Sequence, residues 1–327
     1  LTLVAGETMS HVDAGLTGQP PAFGSASTLG SAGGASPYSV VTDSAGNVYV
    51  GGNLNGRLDD SGREFADIAV VKYDAGGNLV WAKSLEGSDQ TLDMALDGSG
   101  NIFLGGMFTG KVDFDPGDGV YVLDAGTGTN SYDAFISKLD ASGNFIWAVK
   151  AGATNRDSVQ SIGVDGAGNV YAAGNLYASA DVDPGPGSTI LLAGRFLWKL
   201  SADGQYVWAY GQFGPTSSGS SSLAVDADGN LYLTGTFSGT VDFDPGAGTS
   251  QMTSTQGYTD AYVLKLDSLG GFEWVVQAAR ISPSSIAVDS GGNVLAAGTF
   301  TGTADFDPGA GTSYLAAYGT DAFVWKL

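Results

Sequence analysis

Asp97–Ala148 reads DGSGNIFLGGMFTGKVDFDPGDGVYVLDAGTGTNSYDAFISKLDASGNFIWA. An Asp-x-x-Gly-Asn turn opens a short apolar run, an acidic Gly/Pro loop follows, and a second run ending in Lys-Leu leads through another Gly-Asn turn to a Trp. The turn carries its own mechanism. The Asp carboxylate accepts hydrogen bonds from the turn backbone, and the Gly before Asn takes the positive φ that closes a short hairpin. The run after the turn, Ile102-Phe103-Leu104, is short, apolar and bounded by Gly, which favours a strand over a helix.

The same order recurs outward from this stretch. The first turn stands at Asp43, Asp97, Asp165, Asp226 and Asp289, at steps of 54, 68, 61 and 63 residues. A second marker, Asp-Ala-Phe/Tyr followed by Lys-Leu, runs Asp133 to Leu139, Asp260 to Leu266 and Asp321 to Leu327, with weaker copies at Asp67 to Tyr73 and Arg195 to Leu200. A third is the Trp at 81, 147, 208 and 274. A unit of about four strands repeated at such a period marks propeller blades. The expectation is therefore an all-β, five-bladed β-propeller of four-stranded antiparallel blades, at about 36–85, 92–150, 160–211, 221–278 and 284–327. The acidic loop accounts for the excess over an ordinary blade. Acidic residues are 30 Asp and only four Glu, and Asp builds turns where Glu builds helices, which agrees.

The 327 residues carry a formal charge of −21 and no cysteine. That charge argues against nucleic acid and anionic membrane surfaces as partners, and the lack of cysteine removes disulfide, thiolate and Cys–zinc chemistry. No run of 18 apolar residues is present, so membrane insertion is not expected.

Residues 1–18 stand outside the repeat and are expected to form a leader strand contacting a neighbouring domain or subunit, with 19–327 as the propeller. The segment Gln19–Gly34 places Ala22-Phe23-Gly24 where the other repeats carry Trp-Ala, and the fifth repeat reaches Lys326-Leu327 without its Trp strand. The expectation is that the segment around Phe23 seals the last blade and covers its open edge.

The strongest chemical signal is the acidic loop. It places Asp113 and Asp115, Asp181 and Asp183, Asp242 and Asp244, and Asp305 and Asp307 at i and i+2 before a Pro-Gly reversal. Paired carboxylates with nearby glycine carbonyls are oxygen ligands suited to Ca²⁺. The same residues also suffice for a plain tight turn with the intervening apolar residue tucked inward. The in-register tryptophans read as packing between blades. Lys72, Lys138, Lys199, Lys265 and Lys326 read as solvated, or paired with Asp of their own repeat.

Catalytic chemistry finds little support. The single histidine, His11, lies in the leader, and the off-register charges Asp59, Asp60, Arg63, Glu64, Glu86, Asp89, Asp93, Arg156, Asp157, Glu273 and Arg280 are scattered. A non-enzymatic role is expected.

Two resemblances bear on this. Asp165, Gly168-Asn169-Val170-Tyr171 and Gly174 resemble the SBBP-type bacterial β-propeller repeat, over Ser36–Leu327. Leu3-Val4-Ala5-Gly6-Glu7-Thr8 and Val12-Asp13-Ala14-Gly15-Leu16 resemble the closing strand of a B domain of Sdr-type bacterial adhesins. The first family implies large modular exported proteins, and its name implies seven blades rather than five. Together they imply an extracellular or cell-surface structural or adhesive module that self-associates through its N-terminal strand or contacts a neighbouring domain. The alternative is a lectin-like module with glycans as ligands.

Overall fold

The computed structural model describes residues 35–58, 64–85, 88–126, 131–153, 155–211 and 222–327, and the regular structure among these is entirely β. The leader strand, the segment around Phe23 and its closure of the last blade lie outside the described residues.

The four-strand unit appears four times in sequence. Sheet one is Ala35–Thr42, Val48–Leu58, Glu64–Tyr73 and Leu79–Leu85. Sheet two is Ser88–Leu96, Ile102–Thr109, Asp133–Leu139 and Phe145–Ala151. Sheet three is Ser158–Val164, Val170–Leu176, Gly194–Leu200 and Tyr206–Gly211. Sheet four is Ser222–Val225, Leu231–Phe237, Asp260–Leu266 and Phe272–Ala279. Sheet five has three described strands, Ile281–Val288, Val294–Asp305 and Tyr314–Lys326. Every sheet is an antiparallel meander in chain order. Successive sheets pack face to face with their first strands side by side, the arrangement of propeller blades. The first and fifth sheets share no such packing among the described residues.

The expected turns form, and their geometry repeats. Asp165 Oδ1 accepts from the N–H of Ala167 and Asn169, and its Oδ2 accepts from Asn169 Nδ2 and Tyr171 OH at 2.8 and 3.0 Å. Gly168 closes the turn at φ 81°. Asp43 and Asp226 make the same set with Tyr49 and Tyr232. At Asp97 a Phe replaces the Tyr, and the three amide bonds remain.

Three devices join one sheet to the next. The first is apolar. Val70 and Met94 share one buried cluster, as do Ile136 and Ile162, Leu197 and Leu223, and Val263 and Ile286. The second is a line of hydrogen bonds along the first strands, beside or near a bulge. Asp93 accepts from Ser39 Oγ of sheet one at 3.1 Å and from Ser161 Oγ and Ile162 N–H of sheet three, each at 3.0 Å. Ser161 Oγ then accepts from Leu223 N–H, and Ser222 Oγ from Ile286 N–H, at 3.1 and 3.3 Å.

The third device uses three of the in-register lysines in a contact that the repeat did not predict. Lys72, Lys138 and Lys199 donate to the carbonyls of Ala141, Ala202 and Ser268, in the outer turn of the following sheet, at 3.4, 3.0 and 2.9 Å. Their ammonium groups lie over the rings of Tyr49, Phe103 and Tyr171. Lys138 and Lys199 are buried. The turn Asp of the same repeat is also close: Asp97 Oδ2 lies 3.8 Å from Lys138 Nζ, and Asp165 acts electrostatically on Lys199. A buried ammonium needs compensating acceptors, and the next blade supplies them. Trp147 reinforces the contact, donating Nε1–H to the same Ala202 carbonyl at 3.1 Å.

Asp165→Ala leaves the turn amides and a buried phenol without their acceptor. Urea unfolding at unchanged m-value should show a loss of about 2–4 kcal/mol. A loss below about 0.5 kcal/mol would mean that the turn does not depend on the carboxylate.

Candidate functional site

The acidic loops sit at the tips of two-stranded ribbons that branch from the second and third strands, such as Lys111–Asp113 paired with Val122–Asp124. In sheet five the ribbon is continuous with the long strands, Asp305 lying opposite Tyr314. The structure brings the two carboxylates of each loop onto one turn and occupies them with the turn's own amides. Asp113 Oδ1 accepts from the N–H of Asp115 and Tyr121 at 3.1 and 2.8 Å, and Asp115 Oδ1 from Gly117 N–H at 2.8 Å. Asp181 with Asp183, Asp242 with Asp244, and Asp305 with Asp307 repeat this pattern.

The last glycine of the motif is explained as well. A Cβ on Gly119 would fall 2.0 Å from Asp115 Oδ2, so only glycine fits beneath that carboxylate. The residue between the two aspartates points inward. Phe114 packs on Phe108 and Phe135 with ring centroids 5.3 and 5.0 Å apart, and Phe243 and Phe306 do the same in their sheets. Trp325 Nε1–H ties the last loop down through the Phe306 carbonyl at 2.8 Å. Among the described residues no three His, Asp or Glu side chains gather as a metal site. A Ca²⁺ ion wants six to eight oxygens, and each loop offers two carboxylates that already hold backbone amides.

A different acidic pair was not legible from the repeat. Asp133 and Asp157 lie on either side of Gly152, where a Cβ would be 2.5 Å from Asp133 Oδ1 and 2.9 Å from Asp157 Oδ2. Asp133 Oδ2 accepts from Lys150 Nζ at 2.5 Å, and Asp157 accepts from the N–H of Ala153 and Tyr177 at 3.0 and 2.6 Å. Burial raises both carboxyl pKa values above the ordinary value. Both side chains are buried, so the pair is closed to substrate and serves as an internal clasp between sheets two and three. The corresponding Asp260 accepts from Thr255 N–H, Thr255 Oγ and Gln277 Nε2, and Ile281 replaces the second acid. The one sequence signal was Asp157 itself, an acid outside the repeat register.

A concavity of about 230 Å³ lies between sheets four and five, lined by Tyr258, Thr259, Arg280, Ser282, Thr301 and Gly302. Arg280 takes a left-handed φ of 64° and lays its guanidinium over the Tyr258 ring at 4.5 Å. Arg156 stacks on Tyr132 at 5.2 Å in the equivalent place between sheets two and three.

No protein-family model matches the chain. An uncharacterized WD repeat-containing protein of Acanthamoeba polyphaga mimivirus is 27% identical over 231 residues, covering 62% of this chain and 17% of its own length. Regulatory protein FlaEY of Caulobacter vibrioides is 27% identical over 160 residues, covering 45% of this chain and 16% of its own length. The chain thus spans about a sixth of the length of these curated relatives. Among solved structures, an ACO/RPE65 chimera aligns over 90% of this chain and 62% of its own at TM-score 0.45 and 12% identity. The Neurospora crassa Pan2 WD40 domain aligns over 88% of this chain and 81% of its own at TM-score 0.36 and 9% identity.

Two sets of carboxyls set opposite pH trends. Hydrogen bonds from Asn47, Asn78 and Asn293 lower the pKa of Asp43, Asp74 and Asp289, so their contribution is full above the ordinary carboxylate pKa and is lost as pH falls below it. Asp133 and Asp157 are raised, so the native state binds more protons than the unfolded chain just above that value, and their contribution declines as pH rises. The urea midpoint should therefore peak in mild acid, between about pH 4 and 6. A steady rise to pH 8 would contradict the assignment.

Proposed function

We propose that the chain is a non-enzymatic structural or adhesive propeller module of an extracellular or cell-surface assembly, whose partners are protein: other copies of itself or a neighbouring domain. One observation carries the reading. The ionisable side chains that recur in register are spent on holding the array together: Asp on turns and ribbons, Lys on the next blade's carbonyls. The acid pair that departs from the register is buried. Strongly acidic, turn-rich surfaces of this kind stay soluble at high local density. In this proposal residues 1–18 provide one contact to the neighbour.

A brief protease treatment of intact cells that make the protein should release or clip it while a cytosolic marker stays whole. Recovery of the intact chain from the cytosol alone would contradict the surface role. The acidic loops make a separate prediction. Held by their own amides, they should leave the melting temperature unchanged by EDTA, whereas a drop reversed by added Ca²⁺ would assign the ion to Asp113/Asp115 and their equivalents.

The second reading is a carbohydrate-binding propeller, favoured by the Tyr258–Arg280 cavity, where an exposed ring and hydroxyls could meet a sugar. A glycan array with hits lost on Tyr258→Ala would establish it, and an array without hits would dispose of it.

A further inference from the structure

The four seams between neighbouring sheets share one apolar template, to which most add the same two polar bonds, and the array carries the two halves of a fifth. On the preceding side of each seam stands an apolar residue of the third strand: Val70, Ile136, Leu197 or Val263, each at most 2% exposed. On the following side stands the first-strand residue next after Asp93, Ser161, Ser222 or Ser285: Met94, Ile162, Leu223 or Ile286, each 3–6% exposed. The equivalent residue on sheet five is Val324, and on sheet one it is Val40. They are 71% and 64% exposed.

The polar parts are split in the same way. Ser285 stands where Ser161 and Ser222 accept an N–H from the next sheet, and Val40 stands where Leu223 and Ile286 donate it. Lys326 stands where Lys138 and Lys199 reach the next sheet's outer turn, and Ala75 stands where Ala202 and Ser268 offer their carbonyls. Ser285, Lys326 and Ala75 are all exposed.

We propose that the open face of sheet five docks onto the open face of sheet one of a second copy of this chain, head to tail, reproducing the internal seam. Val324 meets Val40, Ser285 accepts from the Val40 N–H, and Lys326 takes the Ala75 carbonyl. The occupant is chosen by complementarity. The sheet-five face asks for a first-strand N–H, an apolar residue beside it and an outer-turn carbonyl, and sheet one presents all three. Among the described residues the two faces of one chain do not pack on each other as successive sheets do. A contact between two different surfaces is heterologous, so it closes into a ring of chains or extends as a filament. The proposal rests on the structural-module reading only for its purpose, and the cell-surface experiment above tests that reading separately.

Because the chain has no cysteine, single cysteines can report the contact. Full-length Val40→Cys and Val324→Cys chains, both changed at exposed sites, are mixed and treated with a short bis-maleimide. The expected result is a covalent dimer in the mixture and none in either variant alone, with at least a tenfold loss of dimer when Lys326→Glu and Ser285→Asp are added to the Val324→Cys chain. The double variant Val40→Cys/Val324→Cys should give a ladder of multimers. The proposal is overturned if the mixture yields no dimer, if one variant dimerises by itself, or if the double variant closes on itself as a cross-linked monomer, which would place the fifth seam within one chain. Circular dichroism spectra matching the parent chain exclude misfolding as the cause of a missing dimer.

Discussion

Each sheet in this chain is too thin to be stable alone, and the structure depends on covering one with the next. Val70 shares a buried cluster with Met94, Ile136 with Ile162, Leu197 with Leu223 and Val263 with Ile286. Apolar contact of this kind is non-directional, so it holds two sheets together without fixing how they slide. Direction comes from the polar bonds that cross the same seams. Serine or aspartate beside the bulge takes an N–H from the next first strand, and a buried lysine takes a carbonyl from the next outer turn.

Lys265 is held differently from Lys138 and Lys199. Sheet five has no described outer turn to receive it, and Lys265 turns instead to Glu273 on its own sheet, at 2.8 Å. Its pKa is raised by that hydrogen bond, whereas burial lowers that of Lys199 against the opposing pull of Asp165 and Asp267. The same residue type at the same register position thus has two electrostatic environments, set by whether it meets a carboxylate of its own sheet or a carbonyl of the next.

The repeat was largely legible in the sequence because its turns are chemical. Asp, Gly and Asn at fixed spacing fix a hairpin locally, and Phe, Val and Tyr after them fix the strands. The burial of Lys138 and Lys199 was not legible, because composition treats a lysine as a surface charge. The pairing that buries Lys138 runs to Ala202, 64 residues away, and to a backbone carbonyl that no side-chain pattern marks. The acidic loops were legible as turns, and their residues left Ca²⁺ open. Only the coordinates show which amides occupy Asp113 and Asp115 and why Gly119 is required. The Asp133–Asp157 clasp was invisible because the two residues belong to different repeats and meet across Gly152. WD-repeat similarity at 27% identity agrees with the blade pattern and leaves the role of this chain to its own residues.

If each sheet depends on its neighbours for cover, stability should follow the number of covered faces. Amide hydrogen exchange of the monomeric chain, read strand by strand, measures this directly. The second strands of sheets two, three and four, covered on both faces, should exchange slowest and with similar free energies. Those of sheets one and five should open at least tenfold more often. Equal protection in all five sheets of the monomer would contradict the account, because it would show that the two outer faces need no neighbour.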